Sequence, residues 1–461
     1  MTFKEYLASL RGKTVAVIGC GVSNRPLLRA LASSDAQVCA YDRKTKEALG
    51  EFGEELDKLG IGFVGGDDYL SSLHGDVIFR TPGLRPDVPQ IARCVEAGAE
   101  LTSEMEVFFR VCPCPIYAVT GSDGKTTTST LISRLLSRAG YTCHLGGNIG
   151  KPLLCDADNM KKEDRVVVEL SSFQLLTMHA SPAVAVVTNV APNHLDVHRD
   201  MAEYIEAKRH VFAGQDESAR LVLNHENDIT RGFAEDAKGH VFFFSKGAIP
   251  ADGAYLEENV IHLRENGADT AVLPITDIRI PGMHNVENYM AAICAVWGSV
   301  SVPDIVEEAK TFGGVEHRIE FVREVKGVKY YNDSIASSPT RTIAGLRAFR
   351  QKIILIAGGY DKKIPFEPLA PEVCAHVKAL ILCGATAGKI RAAVEGYEGF
   401  DPRALPICET DTLEKAVTLA SELAKPGDIV SLSPACAAFD QFANFEVRGR
   451  TYKEYVRKLP E

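Results

Sequence analysis

The chain has 461 residues and a formal net charge of −10, with 46% hydrophobic and 24% charged residues. This length exceeds one typical core, and the composition is that of a folded protein rather than a disordered one. The negative charge disfavours nucleic acid and membrane surfaces as partners, and no apolar run is long enough to span a membrane. The N-terminal segment Met1–Tyr6 lacks the basic-then-apolar order of a signal peptide, so we expect a cytoplasmic protein.

The 12 cysteines do not follow the spacing of a disulfide framework or of a zinc site. The closest pair, Cys112 and Cys114, has no second pair at zinc-finger spacing. Most of the others are single residues inside apolar runs, for example Cys20, Cys39, Cys294 and Cys383. We therefore expect reduced thiols that act as small buried hydrophobic side chains.

The N-terminal part begins with a predicted strand, a glycine-rich turn and a helix. The strand is Thr14–Ile18, the turn is Gly19–Ser23, and a second strand over Val38–Tyr41 ends at Asp42. This order is typical of a dinucleotide-type βαβ unit with an acidic residue after its second strand. The third glycine of the usual fingerprint is missing, so the turn either binds a nucleotide or only packs helix against strand.

A second glycine-rich turn, Thr120–Thr127, lies between a predicted buried strand over Ile116–Val119 and a predicted helix. Such a junction directs backbone N–H groups and a helix N-terminus at one point, which suits a phosphate. Lys125 adds a cation, and a following threonine hydroxyl can bind Mg²⁺. The turn therefore predicts a nucleoside triphosphate site. Its predicted binding residues are Gly121, Ser122, Asp123, Gly124, Lys125, Thr126 and Thr127.

Short apolar runs follow along the rest of the chain, as expected for parallel sheets covered on both faces. They alternate with helix-like segments, which predicts an α/β fold. The runs are 166–170, 184–188, 221–224, 353–357, 379–382 and 428–432.

Polar residues after these strands are candidates for chemistry, because ligands collect beyond the carboxyl ends of parallel strands. Glu169 ends a strand and is placed either to bind Mg²⁺ or to be an exposed carboxylate. His194 follows another strand, whereas Lys208 lies on a predicted helix where a solvated lysine is the simpler interpretation. Arg318 or Lys362 can stabilise a transferring phosphoryl group or hold a carboxylate.

Several stretches together resemble the Mur ligases of bacterial cell-wall synthesis over nearly the whole chain. They are Thr120–Thr126, Gly146–Gly150, Glu169–Leu175, His317–Arg318, Asn332–Ser334, Leu432–Ala437 and Asp440–Phe442. The phosphate loop is similar to that of all Mur ligases and of folylpolyglutamate synthases. Glu169–Leu175 and Ser433–Ala437 resemble the D-glutamate-adding branch of the family.

The resemblance implies a three-domain α/β ligase that uses ATP and two Mg²⁺ ions to join UDP-N-acetylmuramoyl-L-alanine to D-glutamate through an acyl phosphate. Residues 1–103 would form a Rossmann-like domain for the UDP moiety, and 104–314 a P-loop NTPase-like domain for ATP. Residues 315–461 would form a Rossmann-like domain for the amino acid. The resemblance further implies a monomer whose partners are these small molecules, without nucleic acid, membrane or nicotinamide.

Roles for individual residues are likewise implied by the resemblance. The UDP moiety would contact Val22, Ser23, Asp42 and Arg43. The muramoyl-peptide end would contact Asn148, Ser171, Gln174 and His194. ATP would further contact Asn285, Asn288, Arg318 and Asp333, and D-glutamate would contact Ser337, Lys362, Ala438, Phe439 and Phe445. The metal ligands would be Thr126, Glu169, His194 and a carbamylated Lys208, and the catalytic residues Lys125, His194, Lys208 and Arg318.

Two positions depart from the family pattern, both in the expected D-glutamate site. Ile335 occupies the position of a common lysine, and Ala438 that of a serine. Loss of one neutral hydrogen bond costs about 1 kcal/mol, or about fivefold in affinity, so we expect a tuned site rather than an abolished one. Another amide ligase, a nicotinamide-dependent oxidoreductase and a regulatory nucleotide switch are the alternatives.

Overall fold

The structure is a computed structural model that describes residues 1–192 and 197–460. It contains three β-sheets with helices between the strands, which confirms the predicted α/β class with its three sheet-containing parts. By its contacts the chain forms two units, Met1–Asp277 with Val286–Glu308 and Ile278–Asn285 with Ala309–Glu461. The predicted domain boundaries after residues 103 and 314 stay predictions.

The first sheet is fully parallel, in the order β3-β2-β1-β4-β5. Its strands are β1 (Thr14–Ile18), β2 (Gln37–Asp42), β3 (Gly62–Gly65), β4 (Val77–Phe79) and β5 (Glu100–Thr102). The helices of this part are α1 (Phe3–Ser9), α2 (Asn24–Leu31), α3 (Glu51–Lys58) and α4 (Pro89–Glu96). Strand order reverses between β1 and β4, so the predicted UDP-binding turn after β1 lies at a topological switch point.

The second sheet has the order β14-β13-β12-β11-β10-β9-β6-β8-β7. Its strands are β6 (Ile116–Thr120), β7 (Cys143–Gly147), β8 (Arg165–Glu169), β9 (Val184–Val187), β10 (Arg220–Asn224), β11 (His240–Ser245), β12 (Gly253–Glu257), β13 (Val260–Glu265) and β14 (Ala268–Pro274). The helices that follow β5 are α5 (Glu104–Val111), α6 (Lys125–Arg138), α7 (Ser172–Leu175), α8 (Met201–Ala213), α9 (Asp228–Gly232), α10 (Met283–Val296) and α11 (Val302–Thr311). Because β9, β6, β8 and β7 are parallel neighbours, their carboxyl ends meet at one edge.

The third sheet has the order β15-β16-β20-β17-β18-β19 and carries buried apolar clusters on both faces. Its strands are β15 (Glu320–Val325), β16 (Val328–Asn332), β17 (Ile353–Ala357), β18 (Val377–Cys383), β19 (Ile407–Thr410) and β20 (Ile429–Leu432). The remaining helices are α12 (Pro339–Arg347), α13 (Ala370–His376), α14 (Ala387–Glu395), α15 (Leu413–Leu423) and α16 (Phe445–Lys458). Short 3₁₀ turns occupy Glu47–Leu49, Leu154–Asn159, Phe233–Asp236, Ile275–Asp277 and Glu367–Leu369.

The predicted apolar runs are strands, and each is nearly or wholly buried, as the five buried residues of β17 illustrate. The antiparallel strands β12 to β14 were not predicted. In β13 burial alternates along the strand, so its sequence contains no continuous apolar run. All 12 cysteines are free thiols; Cys20, Cys294 and Cys383 are buried, whereas Cys39 is half-buried.

Glu104 is the first residue of α5, and its carboxyl group is buried. Its Oε1 atom accepts a hydrogen bond of 3.1 Å from the backbone N–H of Leu154, and the residue is 7% exposed. Burial raises the pKa of Glu104 to about 7. The folded protein therefore holds a proton that the unfolded chain releases at lower pH.

The substitution Glu104→Gln should remove the pH dependence of the unfolding free energy that the Glu104 carboxyl group causes. A carboxyl group whose folded pKa is raised contributes stability below its unfolded pKa, and this contribution disappears as the pH rises to about 7. Relative to Glu104→Gln, the wild-type protein should lose about 3 kcal/mol of unfolding free energy between pH 4 and pH 8, measured by urea denaturation. The exposed Glu96→Gln variant is the control and should follow the wild type. Parallel curves for wild type and Glu104→Gln would contradict this assignment.

Candidate active site

The phosphate loop connects β6 to α6, and neighbouring segments hold it in shape. The backbone N–H groups of Ser122 and Asp123 donate to Asn189, just beyond β9, at 2.9 Å each. The Ser122 hydroxyl donates to the carbonyl oxygen of Ala191 at 2.9 Å and also lies 2.9 Å from the hydroxyl of Tyr204. A rigid loop of this kind suits phosphate binding, because little order has to be gained when the ligand arrives.

Lys125 is the first residue of the helix α6, which follows the loop as predicted. Its Nζ atom donates to the carbonyl oxygens of Gly121 and Ser122 at 2.9 Å. The cation thus lies over its own loop, next to the N-terminus of α6. Both features favour an anion at this point.

Glu169 connects two other predicted site residues, Thr126 and Asn148. Its Oε2 atom accepts a hydrogen bond of 2.7 Å from the Thr126 hydroxyl, and its Oε1 atom accepts one of 2.8 Å from Asn148 Nδ2. The carboxylate is 2% exposed, so the interpretation of Glu169 as an exposed strand-end residue is wrong. Oxygen atoms from a hydroxyl and a carboxylate are ligands that Mg²⁺ prefers.

The approach of Asn148 to Glu169 depends on Gly147, which has a φ of +91°. A Cβ atom at this position would overlap with the carbonyl oxygen of Glu169. The same carbonyl accepts a 2.8 Å hydrogen bond from the backbone N–H of Asn148. Glycine is therefore required here both for the left-handed backbone and for the close contact.

Ser171 and Gln174, predicted to contact the muramoyl-peptide end, form the capping box of the short helix α7. The backbone N–H of Gln174 donates to Ser171 Oγ at 3.3 Å, and the backbone N–H of Ser171 donates to Gln174 Oε1 at 2.9 Å. The two residues thus lie together, directly after β8 and Glu169.

Lys208 is on α8, as predicted, but it is 1% exposed, so the interpretation as a solvated surface lysine is wrong. Its Nζ atom donates to the carbonyl oxygen of Gly121 at 2.9 Å and lies 4.7 Å from the centre of the Tyr204 ring. Burial, and secondarily the charge of Lys125, lower the pKa of Lys208 to about 7. An appreciable fraction of this amine is therefore neutral near pH 7.

His194 lies outside the described residues, as does the rest of 193–196. A residue that the sequence did not indicate, His198, is 2% exposed and lies parallel to Phe173 with ring centres 5.3 Å apart. Its Nε2 atom is 2.9 Å from the hydroxyl of Ser172 in α7. It thus links the segment before α8 to the predicted substrate helix.

In the first sheet, Asp42 organises the turn after β1. Its Oδ2 atom accepts a hydrogen bond of 2.6 Å from the backbone N–H of Cys20, and its Oδ1 atom accepts one of 2.8 Å from the backbone N–H of Lys44. Ser23, at the N-cap of α2, and the 78% exposed Val22 belong to the same turn. Arg43, which directly follows Asp42, is exposed.

The adenine candidates Asn285 and Asn288 are both 6–8% exposed. Asn288 Oδ1 accepts a hydrogen bond of 3.2 Å from Thr128, near the start of α6. Asn285 Nδ2 donates to the carbonyl oxygen of Pro281 at 2.6 Å. Asn288 thus lies beside the phosphate-loop helix, and both adenine assignments stay predictions.

In the second unit, Asp333 follows β16 and is 4% exposed. Its carboxyl group accepts hydrogen bonds from Ser433 Oγ at 2.7 Å and from the backbone N–H of Ile319 at 3.2 Å. Burial raises the pKa of Asp333 to about 7. Arg318 is close enough for its charge to oppose that rise.

Four D-glutamate candidates of the second unit lie on loops after β16, β17 and β20, and the fifth, Phe445, begins α16. Ala438 is 2% exposed, whereas Phe439 is 63% exposed and meets Tyr360 edge-on. Lys362 is exposed, and Ser337 and Phe445 are half-buried.

Arg448, which the sequence did not indicate, is 3% exposed and holds two of these loops together. It donates four hydrogen bonds of 2.9–3.0 Å, to the hydroxyl and carbonyl oxygens of Ser334 and to the carbonyl oxygens of Cys436 and Ala437. Because most of these partners are backbone atoms, no residue type in the sequence predicted the interaction.

Two family descriptions match the chain: "Mur ligase middle domain" over residues 119–296 and "Mur ligase, glutamate ligase domain" over residues 317–436. The chain is 50% identical over 458 residues to the UDP-N-acetylmuramoylalanine–D-glutamate ligase of Clostridium perfringens, covering 99% of each chain. It is 51% identical over 461 residues to the ligase of the same name from Acetivibrio thermocellus, covering 99% of this chain and 98% of that one.

Solved structures of lower identity share the fold. The UDP-N-acetylmuramate–alanine ligase of Thermotoga maritima has a TM-score of 0.56 at 16% identity, covering 96% of this chain and 99% of that one. The MurF ligase of the same organism, solved in complex with ADP, has a TM-score of 0.54 at 17% identity, covering 88% and 92%.

The substitution Gly147→Ala should disrupt the contacts of Glu169 with Asn148 and Thr126. The new Cβ atom would meet the carbonyl oxygen of Glu169 and strain a positive φ, so we expect a loss of about 2 kcal/mol or more in unfolding free energy, measured by urea denaturation. Gly232→Ala is the control, because among the described residues no atom outside its own helix and chain neighbours lies within 4 Å of the position that its Cβ would occupy, and its φ is −63°. Equal stability of the two variants would show that Gly147 is not required.

Proposed function

The chain belongs to the Mur ligase family, and we propose that it joins D-glutamate to UDP-N-acetylmuramoyl-L-alanine while converting ATP to ADP and phosphate. The observation that carries this proposal is about 50% identity, over 99% of this chain, to ligases named for that reaction. The match to the glutamate ligase domain description over residues 317–436 supports it.

The chemistry requires an activated carboxyl group, because a carboxylate is a poor acyl donor. In the proposed reaction the γ-phosphoryl group of ATP passes to the alanyl carboxylate, which gives an acyl phosphate and ADP. The amine of D-glutamate then attacks the carbonyl carbon. Phosphate leaves from the tetrahedral intermediate, the amine loses a proton, and the amide bond remains.

The phosphate loop would bind the triphosphate through Gly121–Thr127. Lys125 already lies over this loop, so it would stabilise the charge that develops on the transferring phosphoryl group. By the family resemblance, Asn285 and Asn288 would contact adenine, and Arg318 and Asp333 would be further ATP-binding residues.

Glu169 at the end of β8 and Thr126 at the start of α6 fit a magnesium ion. Thr126 and Glu169 offer a hydroxyl and a buried carboxylate within hydrogen-bond distance of each other, and Mg²⁺ typically takes only one or two carboxylates besides phosphate oxygens and water. When bound, Mg²⁺ neutralises charge on the phosphate oxygens. No cluster of three His, Cys, Asp or Glu side chains suited to a metal occurs in residues 1–192 and 197–460.

A second Mg²⁺ would be held by His194 and a carbamylated Lys208. Carbamylation requires a neutral amine, which adds to CO₂ to give R–NH–COO⁻ and a proton. The pKa of about 7 makes the neutral Lys208 amine available. The product is an anion with oxygen ligands, which a hard cation prefers to ammonium.

The remaining assignments follow the reaction. Asn148, Ser171, Gln174 and His194 would position the muramoyl-peptide end, and Val22, Ser23, Asp42 and Arg43 would hold the UDP moiety. The D-glutamate would contact Ser337, Lys362, Ala438, Phe439 and Phe445. We further propose a cytoplasmic monomer that binds these small molecules and neither nucleic acid nor membrane. Among the described residues, no helix is both long and apolar enough to cross a membrane.

D-glutamate should be required for phosphate release. With ATP, Mg²⁺ and UDP-N-acetylmuramoyl-L-alanine, we expect turnover with D-glutamate and less than about 1% of that rate with L-glutamate, L-lysine or meso-diaminopimelate. A coupled ADP assay and mass spectrometry of the product measure this. Turnover with one of the other amino acids, and none with D-glutamate, would contradict the proposed substrate. Release that is indifferent to amino acids would indicate a nucleotide switch.

Lys208→Ala should lower kcat by about a hundredfold or more, because the anionic ligand is lost. Acetate or formate should restore part of that rate by supplying a carboxylate in the vacated space. Lys125→Ala is the matched control, since no carboxylate replaces a cation, and its activity should not recover.

A ¹³C-NMR signal of the carbamate formed from ¹³CO₂ should appear in wild type and be absent in Lys208→Ala. It should weaken below pH 7, where the amine is protonated. Failure of rescue in a folded Lys208→Ala protein would count against the carbamate.

A further inference from the structure

The loop after β4, residues 80–87, contacts the turn after β1, the segment of α7 and the helix α8. It begins with Arg80, which is 1% exposed and has one of the largest fully buried side chains of the described residues. Neither the sequence patterns nor the proposed reaction assigns this arginine a role.

The guanidinium of Arg80 links its own loop to the segment of α7. Nη1 donates to the carbonyl oxygens of Pro82 at 3.2 Å and Leu84 at 2.6 Å. Nη2 donates to the carbonyl oxygen of Phe173 at 2.8 Å and to the hydroxyl of Thr177 at 3.1 Å. A single side chain therefore holds the loop of the first sheet against the helix that contains the predicted substrate residues.

The environment of Arg80 is unusual for a buried cation. No ion pair with an acidic side chain is found for Arg80 among the described residues, and its hydrogen bonds go to neutral oxygens. Burial accordingly lowers its pKa to about 10. A neutral side chain would fill this space at a lower desolvation cost, so the directed hydrogen bonds of the guanidinium are its distinctive contribution.

The same loop contacts the predicted UDP site. The Cβ atom of Thr81 lies 3.1 Å from the position that a Cβ atom on Gly19 would occupy. Gly19 begins the turn whose following residues are proposed to hold the UDP moiety. The loop is thus packed between the two ends of the proposed substrate site.

The far end of the loop is fastened to the helix of Lys208. Arg85 forms a two-pronged ion pair with Glu203 in α8, at 2.7 and 2.8 Å, and a second with Asp87 at 2.9 Å. The hydrogen bond from Arg85 lowers the pKa of Glu203 to about 2. The loop therefore has fixed contacts with both α7 and α8.

We propose that Arg80 is a positioning residue that sets the distance between the UDP-binding turn and the α7 helix, so that binding of the UDP end places the alanyl carboxylate for phosphorylation. This inference rests on the proposed function. Binding energy from a part of the substrate far from the reaction is commonly used to position the reacting group. Here the UDP end would be that part, and the loop 80–87 would transmit its position to α7.

The test compares the full substrate with one that lacks uridine monophosphate and ends at the sugar 1-phosphate. The ratio of their kcat/KM values measures how much the uridine end assists the reaction. In Arg80→Met, which retains side-chain length without hydrogen bonds, this ratio should fall by about tenfold or more relative to wild type. The KM for ATP should stay within about twofold of wild type, because the phosphate loop is not contacted.

Arg220→Met is the matched control. Arg220 also donates to backbone carbonyl oxygens, those of Cys294 at 2.9 Å and Trp297 at 3.0 Å, but it lies at the start of β10. This variant should lose stability and keep the wild-type substrate ratio. A loss of stability alone therefore does not imitate the predicted effect.

The substitution Thr177→Val removes the hydroxyl that accepts a hydrogen bond from Arg80. It should lower the ratio of the two kcat/KM values by about threefold relative to wild type. An unchanged ratio in Arg80→Met, or in Thr177→Val if Arg80→Met does not fold, would overturn the inference while leaving the proposed function intact. A wild-type protein that forms no amide from the full substrate would overturn both.

Discussion

The buried carboxylate of Glu169 is the interaction on which the rest of the proposed active site depends. Its two oxygen atoms accept hydrogen bonds from Thr126 at the start of α6 and from Asn148 after β7. A carboxylate that is 2% exposed is stable only if its oxygen atoms are satisfied, so the two donors are held where they are. Glu169 ends β8, and Thr126 and Asn148 follow the neighbouring strands β6 and β7, so the parallel sheet brings the three residues together.

Buried cations hold the surrounding loops by a different means. Lys208, Arg80 and Arg448 are each at most 3% exposed, and each donates to backbone carbonyl oxygens. Carbonyl oxygens are available wherever a strand ends in a loop, and they carry no charge that would bind the cation as firmly as a carboxylate. Burial therefore lowers the pKa of all three. The pKa of Lys208 falls to about 7, so part of this amine is neutral near pH 7. The pKa values of Arg80 and Arg448 fall only to about 10, so both stay charged and act by holding loops together.

The sequence predicted several buried parallel strands and the glycine-rich loop after β6, because both have local signals, but it missed others such as β12 to β14. A continuous apolar run such as β17 identifies a buried parallel strand, and glycines with a following lysine identify the loop. The contacts between distant parts have no such signal. Arg80 and Phe173 are 93 residues apart, and Arg448 and Ser334 are 114 residues apart. Their partners are backbone atoms or a hydroxyl, which every segment offers, so only the fold identifies them.

The hydrogen bonds of Arg448 also concern Ile335 and Ala438, the two positions that depart from the family pattern. Ser334 directly precedes Ile335, and Ala437 directly precedes Ala438, and both preceding residues accept hydrogen bonds from Arg448. The backbone at both departures is thus held by one buried guanidinium rather than by the side chains that differ. Ala438 is 2% exposed, so a serine hydroxyl there would itself need a partner. In the proposed D-glutamate site the two substitutions would therefore change only side chains, because the hydrogen bonds from Arg448 hold the backbone at both positions.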